Sequence, residues 1–599
     1  MKSRQSFNRI ISILIFWFIL IETTSYSQVY PFSNRNMFFG LTQLGNSAEG
    51  VLAGSLGVSW ISMDPLVSWF SMEKSPGSYD FDELDTAVKR IQNNNLDCTP
   101  VLFAVNAFGD KRARLIEKFS GQDMTGFLRS DSSFAWRLFP NEQDSTMSIW
   151  LNFVSAVVER YDMDGVNDMP GLKYAIRNWH LLEEYPMIFI DADNYINLLK
   201  ATSPIIKQKD PNAKIILAGL AGNYSRYFAF MDSLIADDDA GVINGVKHVR
   251  LWWKVNPAWQ SNKRAFEKIL SEGKNYYDIA DLHLYEEKET FLEGKIAWMK
   301  NTITGNGSSK PIWCIEGGGP LKLTEAQHLA GDLQGDWYFG PYTEKENAEF
   351  VVKLSVMAAA NGIERDHWGL SATPEGAYWS GPWHNMALAT SSLQLKPSFY
   401  SFKLMIQMIK DFKNVVDRST NDYRLYEFSF DNDKCYVAWS RSGNPMNINV
   451  QNLFNSESTV KVTYIITDLS SGTDPQEETV PPASIPISLT PIFISKVGYP
   501  TTVEMNNYPV PTKHFLYQNY PNPFNPETKI KYSLPFESRV SLKIYDVLGR
   551  EVVELIRNEN ESAGNHEVEF NAQNLSSGIY FYKLSAGNYS EMKKMVVLK

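Results

Sequence analysis

The chain has 599 residues, too many for a single hydrophobic core, so several domains are expected. A net charge of -11 and a pI of about 5.4 leave no basic field to gather phosphate, which argues against nucleic acid as a partner. Three cysteines (Cys98, Cys314, Cys435) are odd in number and far apart, which argues against a disulfide framework, and no Cys/His cluster has zinc spacing.

Residues 1–27 have a basic start (Lys2, Arg4, Arg9), an apolar stretch from Ile10 to Ile21 and a small polar tail. That is the build of a secretory signal peptide, too short for a comfortable membrane span; the mature chain is expected to begin near Gln28 and to hold no transmembrane segment. From residue 28 to 400, short apolar strands alternate with amphipathic helices. Strands are predicted at Met37–Leu44, Leu56–Met63, Cys98–Ala104, Tyr174–Leu182, Ala213–Leu220, Asp278–Tyr285, Pro311–Glu316 and Asp366–Leu370. Helices are predicted at Asp82–Asn93, with Asp80 or Asp82 as cap, and at Ser148–Tyr161, Asn262–Glu272 and Asn347–Ala360. This alternation predicts an α/β fold, a (β/α)8 TIM barrel with long loops. An open doubly wound sheet is the runner-up, but no Gly-rich phosphate loop accompanies it.

From about Asp417 the period changes to that of strands, and residues 401–498 are predicted to form a β-sandwich that braces the barrel. A Pro- and Thr-bearing linker (499–513) leads to a small C-terminal all-β sandwich (514–599).

Two of the predicted strands end in carboxylates. The run LKYAIRNWHLLEEYP closes on Glu183 and Glu184, and PIWCIEGGGP closes on Glu316 ahead of three glycines. Taken singly, such glutamates are most often solvated strand ends. In a parallel barrel, however, the carboxyl ends of the strands floor the active site, and two carboxylates there suit acid/base and nucleophilic chemistry. The DMDGVND stretch (Asp162 to Asp168) has the look of a calcium loop but carries Tyr174 where a bidentate Glu belongs, so it reads as a solvated helix–strand loop. A peptidase is not supported, because neither a zinc motif nor a nucleophile elbow is present.

These residues resemble the clan A glycoside hydrolases, with a layout similar to the β-xylosidase and α-iduronidase type. In that clan a Trp, three residues and Asn-Glu-Pro end strand four; here Trp179 is followed by His180, Leu181, Leu182, Glu183, Glu184 and Tyr185. The resemblance places the acid/base on Glu184 and the nucleophile on Glu316, with Tyr285 of the His-x-Tyr pair orienting the nucleophile. It implies substrate contacts from Glu183, His283, Trp368, Trp69 and Trp179. The sequence departs from the pattern at Glu183, which replaces the Asn that holds the sugar 2-hydroxyl. It departs again at Ser62 and Met63, which stand where many members carry an Arg. The tail closely resembles the C-terminal sorting domain of the type IX secretion system, on YQNYPNPFNPETKIKYSLP, VSLKIYDVLGREVVEL, AGNHEVEF, LSSGIYFYKL and KKMVVLK.

The expectation is a secreted or outer-surface retaining glycoside hydrolase, reaching the surface through the periplasm. It would need no metal and no organic cofactor, and its partners would be a carbohydrate substrate and the type IX secretion machinery. The alternative, from another class, is a carbohydrate-binding surface protein on a barrel that has lost catalysis, the departure at Glu183 being the feature in its favour.

Overall fold

The structure is a computed structural model. It describes residues 37–42, 47–106, 139–140, 146–185, 191–220, 224–235, 242–243, 246–247, 255–285, 289–319, 343–370, 387–390, 394–454, 457–470, 472–499, 514–534, 538–561, 564–587 and 589–598. The expected signal peptide, and the expected linker apart from Tyr499, lie outside the described residues.

In chain order the parallel strands are β1 (Phe39–Thr42), β2 (Trp60–Ser68), β3 (Asp97–Phe103), β4 (Asn178–Tyr185), β5 (Lys214–Leu220), β6 (Ala280–Asp281), β7 (Leu284–Tyr285), β8 (Ile312–Trp313), β9 (Gly317–Gly318) and β10 (Asp366–Leu370). Six of them form a curled half-barrel in the order β10-β1-β2-β3-β4-β5, while β6 pairs with β8 and β7 with β9. Isolated parallel bridges join Ile216 to Ile279, Leu220 to Leu282 and Trp313 to Arg365. Between the strands run α1 (Ser47–Leu56), α2 (Asp82–Asn93), α3 (Thr146–Tyr161), α4 (Ala192–Lys209), α5 (Tyr224–Met231), α6 (Pro257–Glu272), α7 (Glu289–Gly305) and α8 (Glu344–Ala360), and α9 (Pro397–Ile409) follows.

Alternation along the strands sorts the side chains into two cores. Ile61, Leu102, Leu181 and Leu217 point outwards into the large cluster beneath the helices. Trp60, Val101, Ile216, Ile279, Trp313 and Ile315 form a second, inner cluster. The floor of that inner space is polar at one point: the Arg365 guanidinium lies 4.0 Å from the Trp313 ring centroid and 3.4 Å from Asp97 Oδ2. An arginine stacked on an indole and paired with a carboxylate keeps its charge without water.

Local chemistry accounts for where elements start and stop. Thr343 and Glu346 make a reciprocal capping box at α8, and Asp191 caps α4 by accepting the Asn194 N–H. At α2 the expected aspartate cap is replaced: Phe81 occupies the cap position, and Asp80 Oδ1 instead accepts the Asp82 N–H at 3.4 Å. The second strand begins later than expected, because Leu56 ends a helix. Gly57 stops α1 with a φ of 91°, a left-handed turn that glycine adopts without strain.

Among the described residues beyond 410 the elements are strands, apart from a 3-10 turn at Gln451–Leu453. The six-stranded sheet built around Tyr423–Ser429, Lys434–Ser440 and Ile492–Lys496 is antiparallel. Both of its faces are buried. Tyr426, Phe428, Trp439 and Phe493 join the core beneath the helices, whereas Leu425, Tyr436, Val462 and Ile494 pack on Ile448 and Ile485. Polar contacts seal the junction: Arg424 meets Glu289 and Glu293 at 2.8 Å each, and the Trp439 indole N–H donates to Glu289 Oε1 at 2.7 Å. Helix α9 runs without a break through the boundary expected at 400/401. The C-terminal strands, from Phe515–Leu516 to Tyr589–Val597, enclose a separate core that includes Leu516, Ile530, Leu542, Tyr582 and Met595.

Candidate active site

Three polar residues at period two, Asp281, His283 and Tyr285, project from one face of an otherwise apolar strand, in DLHLY. The last two meet Glu316, which sits between β8 and β9. The Tyr285 hydroxyl donates to Glu316 Oε1 at 2.6 Å, and His283 Nδ1 lies 3.2 Å from Oε2. The Leu284 N–H donates to the Glu316 carbonyl at 2.9 Å, fixing the backbone that carries the carboxylate. Glu316 keeps 13% of its side-chain surface exposed, whereas His283 and Asp281 keep none.

Beneath this pair lies a buried polar layer. Asp281 Oδ2 is 3.0 Å from His283 Nε2 and 3.5 Å from His180 Nε2, and Oδ1 accepts the Ile315 N–H at 3.0 Å. His180 Nε2 also faces the Leu217 carbonyl at 3.0 Å. Burial, aided by the charge of His283, pushes His180 down to about 4, against the pull of Asp281. His367, enclosed against the Cys314 carbonyl and the Gly317 N–H, is pushed by burial to about 3. Burial raises Asp366 to about 7 and lifts the Cys314 thiol well above its ordinary range. The layer exists because residue 219 is glycine: a Cβ there would stand 2.1 Å from His283 Nε2 and 2.3 Å from Asp281 Oδ2.

Strand β4 is irregular where its two glutamates stand. Leu181 pairs with Leu217 and Glu184 with Gly219, so β4 carries one more residue than β5 between these pairs. Leu182, fully buried, takes a φ of 65°. A left-handed conformation costs a branched residue roughly 1–2 kcal/mol, which the surrounding core must offset. Glu183 is half-buried. The side chain of Glu184 lies outside the described residues, and its separation from Glu316 with it.

The tryptophans assigned to substrate sit elsewhere. Trp69 is fully buried, packs on Trp150 and Phe153, and donates its indole N–H to Glu73 Oε2 at 2.5 Å. Trp179 shares the outward face of β4 with Leu181, on the far side from His180. Both indoles are enclosed by core side chains in the described structure. Trp368 is also fully buried, in β10. Ser62, at the position where an Arg was expected, donates to the Ile315 carbonyl at 2.8 Å, tying β2 to the strand that bears Glu316.

Sequence reasoning missed Asp281, His180 and Gly219. Asp281 was signalled by its period-two spacing with His283 and Tyr285; Gly219 carried no signal of its own. In the DMDGVND loop, ligand atoms of Asp162, Asp164 and Asp168 lie within 4.8 Å of one another. The loop's own N–H groups engage them: Met163 and Gly165 donate to Asp168, and Val166 to Asp164.

Comparison with known proteins agrees with the two ends of this description. Residues 518–598 match the family described as the secretion system C-terminal sorting domain. This tail is a type IX sorting domain, which marks the chain for secretion or for the outer cell surface. The curled parallel half-barrel is like the folds of glycoside hydrolases. A family 39 glycoside hydrolase from the gut symbiont Bacteroides cellulosilyticus superposes with a TM-score of 0.51 at 13% identity, over 77% of this chain and 81% of that one. A family 30 endoxylanase from Clostridium papyrosolvens gives 0.43 at 13% identity, covering 77% and 96%, and a conserved exported protein from Bacteroides fragilis gives 0.46 at 9%, covering 77% and 97%. No curated protein matches the chain.

Proposed function

We propose that the chain is an exported glycoside hydrolase that retains anomeric configuration. The observation that carries this reading is the Glu316 carboxylate, held by the Tyr285 hydroxyl at 2.6 Å and keeping 13% of its side-chain surface exposed. A carboxylate fixed by a donor on one oxygen presents the other to an anomeric carbon, as a glycosyl-enzyme mechanism requires. Glu316 attacks, and Glu184 protonates the leaving oxygen and then activates the water that frees the sugar. Glu183, next in the bulged strand end, reaches the sugar in place of the usual amide.

The bridges from Ile216 to Ile279, Leu220 to Leu282 and Trp313 to Arg365 support closure of the half-barrel into a (β/α)8 barrel, with its site at the carboxyl ends of the strands. The two faces of the antiparallel sheet support a sandwich that braces this barrel, and the separate apolar core from Leu516 onwards supports a third unit. A cleaved signal peptide at 1–27 and a periplasmic route complete the proposal.

The test is a panel of aryl glycosides and plant polysaccharides with the mature protein. Glu316→Gln is expected to abolish turnover. Glu184→Gln should abolish it for poor leaving groups while sparing part of the rate on activated aryl glycosides. A crystal structure should place the two carboxyl groups ~5–5.5 Å apart; a separation beyond ~9 Å would rule out the retaining mechanism. No hydrolysis of any glycoside by the intact protein, with binding of polysaccharide retained, would favour the carbohydrate-binding alternative.

A further inference from the structure

We propose that Tyr195 is a positioning residue for the glutamate pair of β4: it sets the register at which Glu183 and Glu184 leave the strand. The inference deepens the proposed function and rests on it for its catalytic consequence, though not for the register itself.

The run Leu181-Leu182-Glu183-Glu184 does not fix its own register. Glu184 stands opposite Gly219 because of the bulge; without it, Glu183 would stand there and Leu182 would face Ala218. Leucine follows leucine and glutamate follows glutamate, so the pattern of apolar and acidic residues hardly tells one register from the other. Backbone preference favours the continuous strand, since the bulged one carries Leu182 at a φ of 65°. A contact from outside the strand has to hold the bulge.

Tyr195 supplies it. Asp191 caps α4 and fixes its start, which directs Tyr195, in the first turn, onto β4 and β5. Its hydroxyl accepts the Ala218 N–H at 2.7 Å and donates to the Leu181 carbonyl at 2.9 Å. These two backbone groups belong together. The Lys214 N–H donates to the Arg177 carbonyl, and bonds in a parallel ladder recur at every second residue, so two steps on the Ala218 N–H and the Leu181 carbonyl are partners. They are the last such pair before Leu182. Beyond the bulge the same side chain acts again: the Tyr195 ring stacks on Tyr185, with centroids 6.3 Å apart and an interplanar angle of 28°, and Tyr185 leans in turn on Phe266 of α6.

One side chain therefore grips β4 on both sides of Leu182, Glu183 and Glu184, by its hydroxyl at Leu181 and by its ring at Tyr185. Tyr195 is fully buried, and burial raises its phenol above the ordinary range, so the proton given to Leu181 is kept. In the proposed reaction this decides which of two adjacent glutamates serves as acid/base. Tyr195 touches no reacting atom and acts through the backbone of β4.

The decisive measurement is a pair of crystal structures of the full chain, wild type and Tyr195→Phe. The variant keeps the ring and loses the hydroxyl. Its β4 should run on past Leu181 without the bulge, with Leu182 at a negative φ and Glu183 opposite Gly219. A variant in which Leu182 stays left-handed and Glu184 stays opposite Gly219 overturns the proposal. Should the variant not fold, the wild-type structure decides: a Tyr195 oxygen out of hydrogen-bond reach of either Leu181 or Ala218 overturns it as well. Kinetics supply a second readout. Tyr195→Phe should lower kcat/KM for glycosides with poor leaving groups by on the order of 10²-fold, the scale of a small misplacement, and for activated aryl glycosides by much less. General loosening of the fold would lower both alike, and that result would overturn the positioning role. In a Glu184→Gln background the same substitution should cause no further loss, because it acts through that carboxyl; a further loss of equal size would also overturn the role. Should the protein hydrolyse no glycoside, the functional reading fails, while the two structures still decide what holds the register.

Discussion

Gly219 has no side chain, and two buried groups occupy the room this leaves. Gly219→Ala would force His283 and Asp281 apart by more than any rotamer change can absorb. Overpacking of this kind costs roughly 1–3 kcal/mol, read as a lower midpoint in urea unfolding. Activity should fall further than stability, because the displaced imidazole is the one that faces Glu316. Buried titratable groups set the response to pH. His180 and His367, at about 4 and about 3, stay neutral in the fold, while the unfolded chain binds protons below ~6.5. Their contribution to stability is complete above that value and is lost as pH falls towards 4. Asp366 has the opposite sign: raised to about 7, it holds a proton that the unfolded chain has released above ~3.9. Its contribution is complete below ~3.9 and is lost as pH rises to 7. Asp366→Asn should therefore raise Tm at pH 8 and leave it little changed at pH 4, as thermal melts at the two pH values would show.

Among the elements, most strands were legible because buried parallel strands are short apolar runs. DCTPVLF is buried at every position, and KIILAGL at all but its first. What was not legible followed from tertiary contacts. Residues 47–56 make a helix where no helix was expected, and β4 continues to Tyr185 through a bulge that no local propensity requires. The site showed the same division. Glu316 and Tyr285 are marked by their strand ends, but the tryptophans could be assigned to core or cleft only once the outward face of each strand was known. The junction between the helices and the antiparallel sheet rests on Arg424, which keeps 5% of its side-chain surface exposed. Arg424→Ala would strand Glu289 and Glu293 at a packed interface. Since these carboxylates keep 25% and 33% exposure, the loss should be ~1–3 kcal/mol, below the ~3–5 kcal/mol of a fully buried pair. A double-mutant cycle with Glu289→Gln would isolate the pairwise share.

For the whole molecule, the cores define what can be separated. The cluster around Ile530, Leu542 and Tyr582 is complete without the parallel half-barrel, so removal of residues 514–599 should leave the melting behaviour of the remainder unchanged. Cell-surface delivery should fail in the same truncation; normal display would refute a sorting role for the tail. A cut at residue 400 should behave differently. It divides α9 and uncovers the surface on which Tyr426, Phe428, Trp439 and Phe493 pack, so the shortened product should aggregate, as light scattering would report.

That shared core also bears on how such chains are assembled in evolution. A domain with a core of its own can be exchanged between genes as a cassette, because nothing it needs is left behind. The antiparallel sheet, buried on both faces, cannot be traded this way: a half-barrel that acquired a foreign sheet would need a matching set of aromatic side chains at once. The unit of inheritance for any activity of this protein is therefore the stretch from Phe39 to Tyr499 together, whereas the tail is free to travel with unrelated cargo.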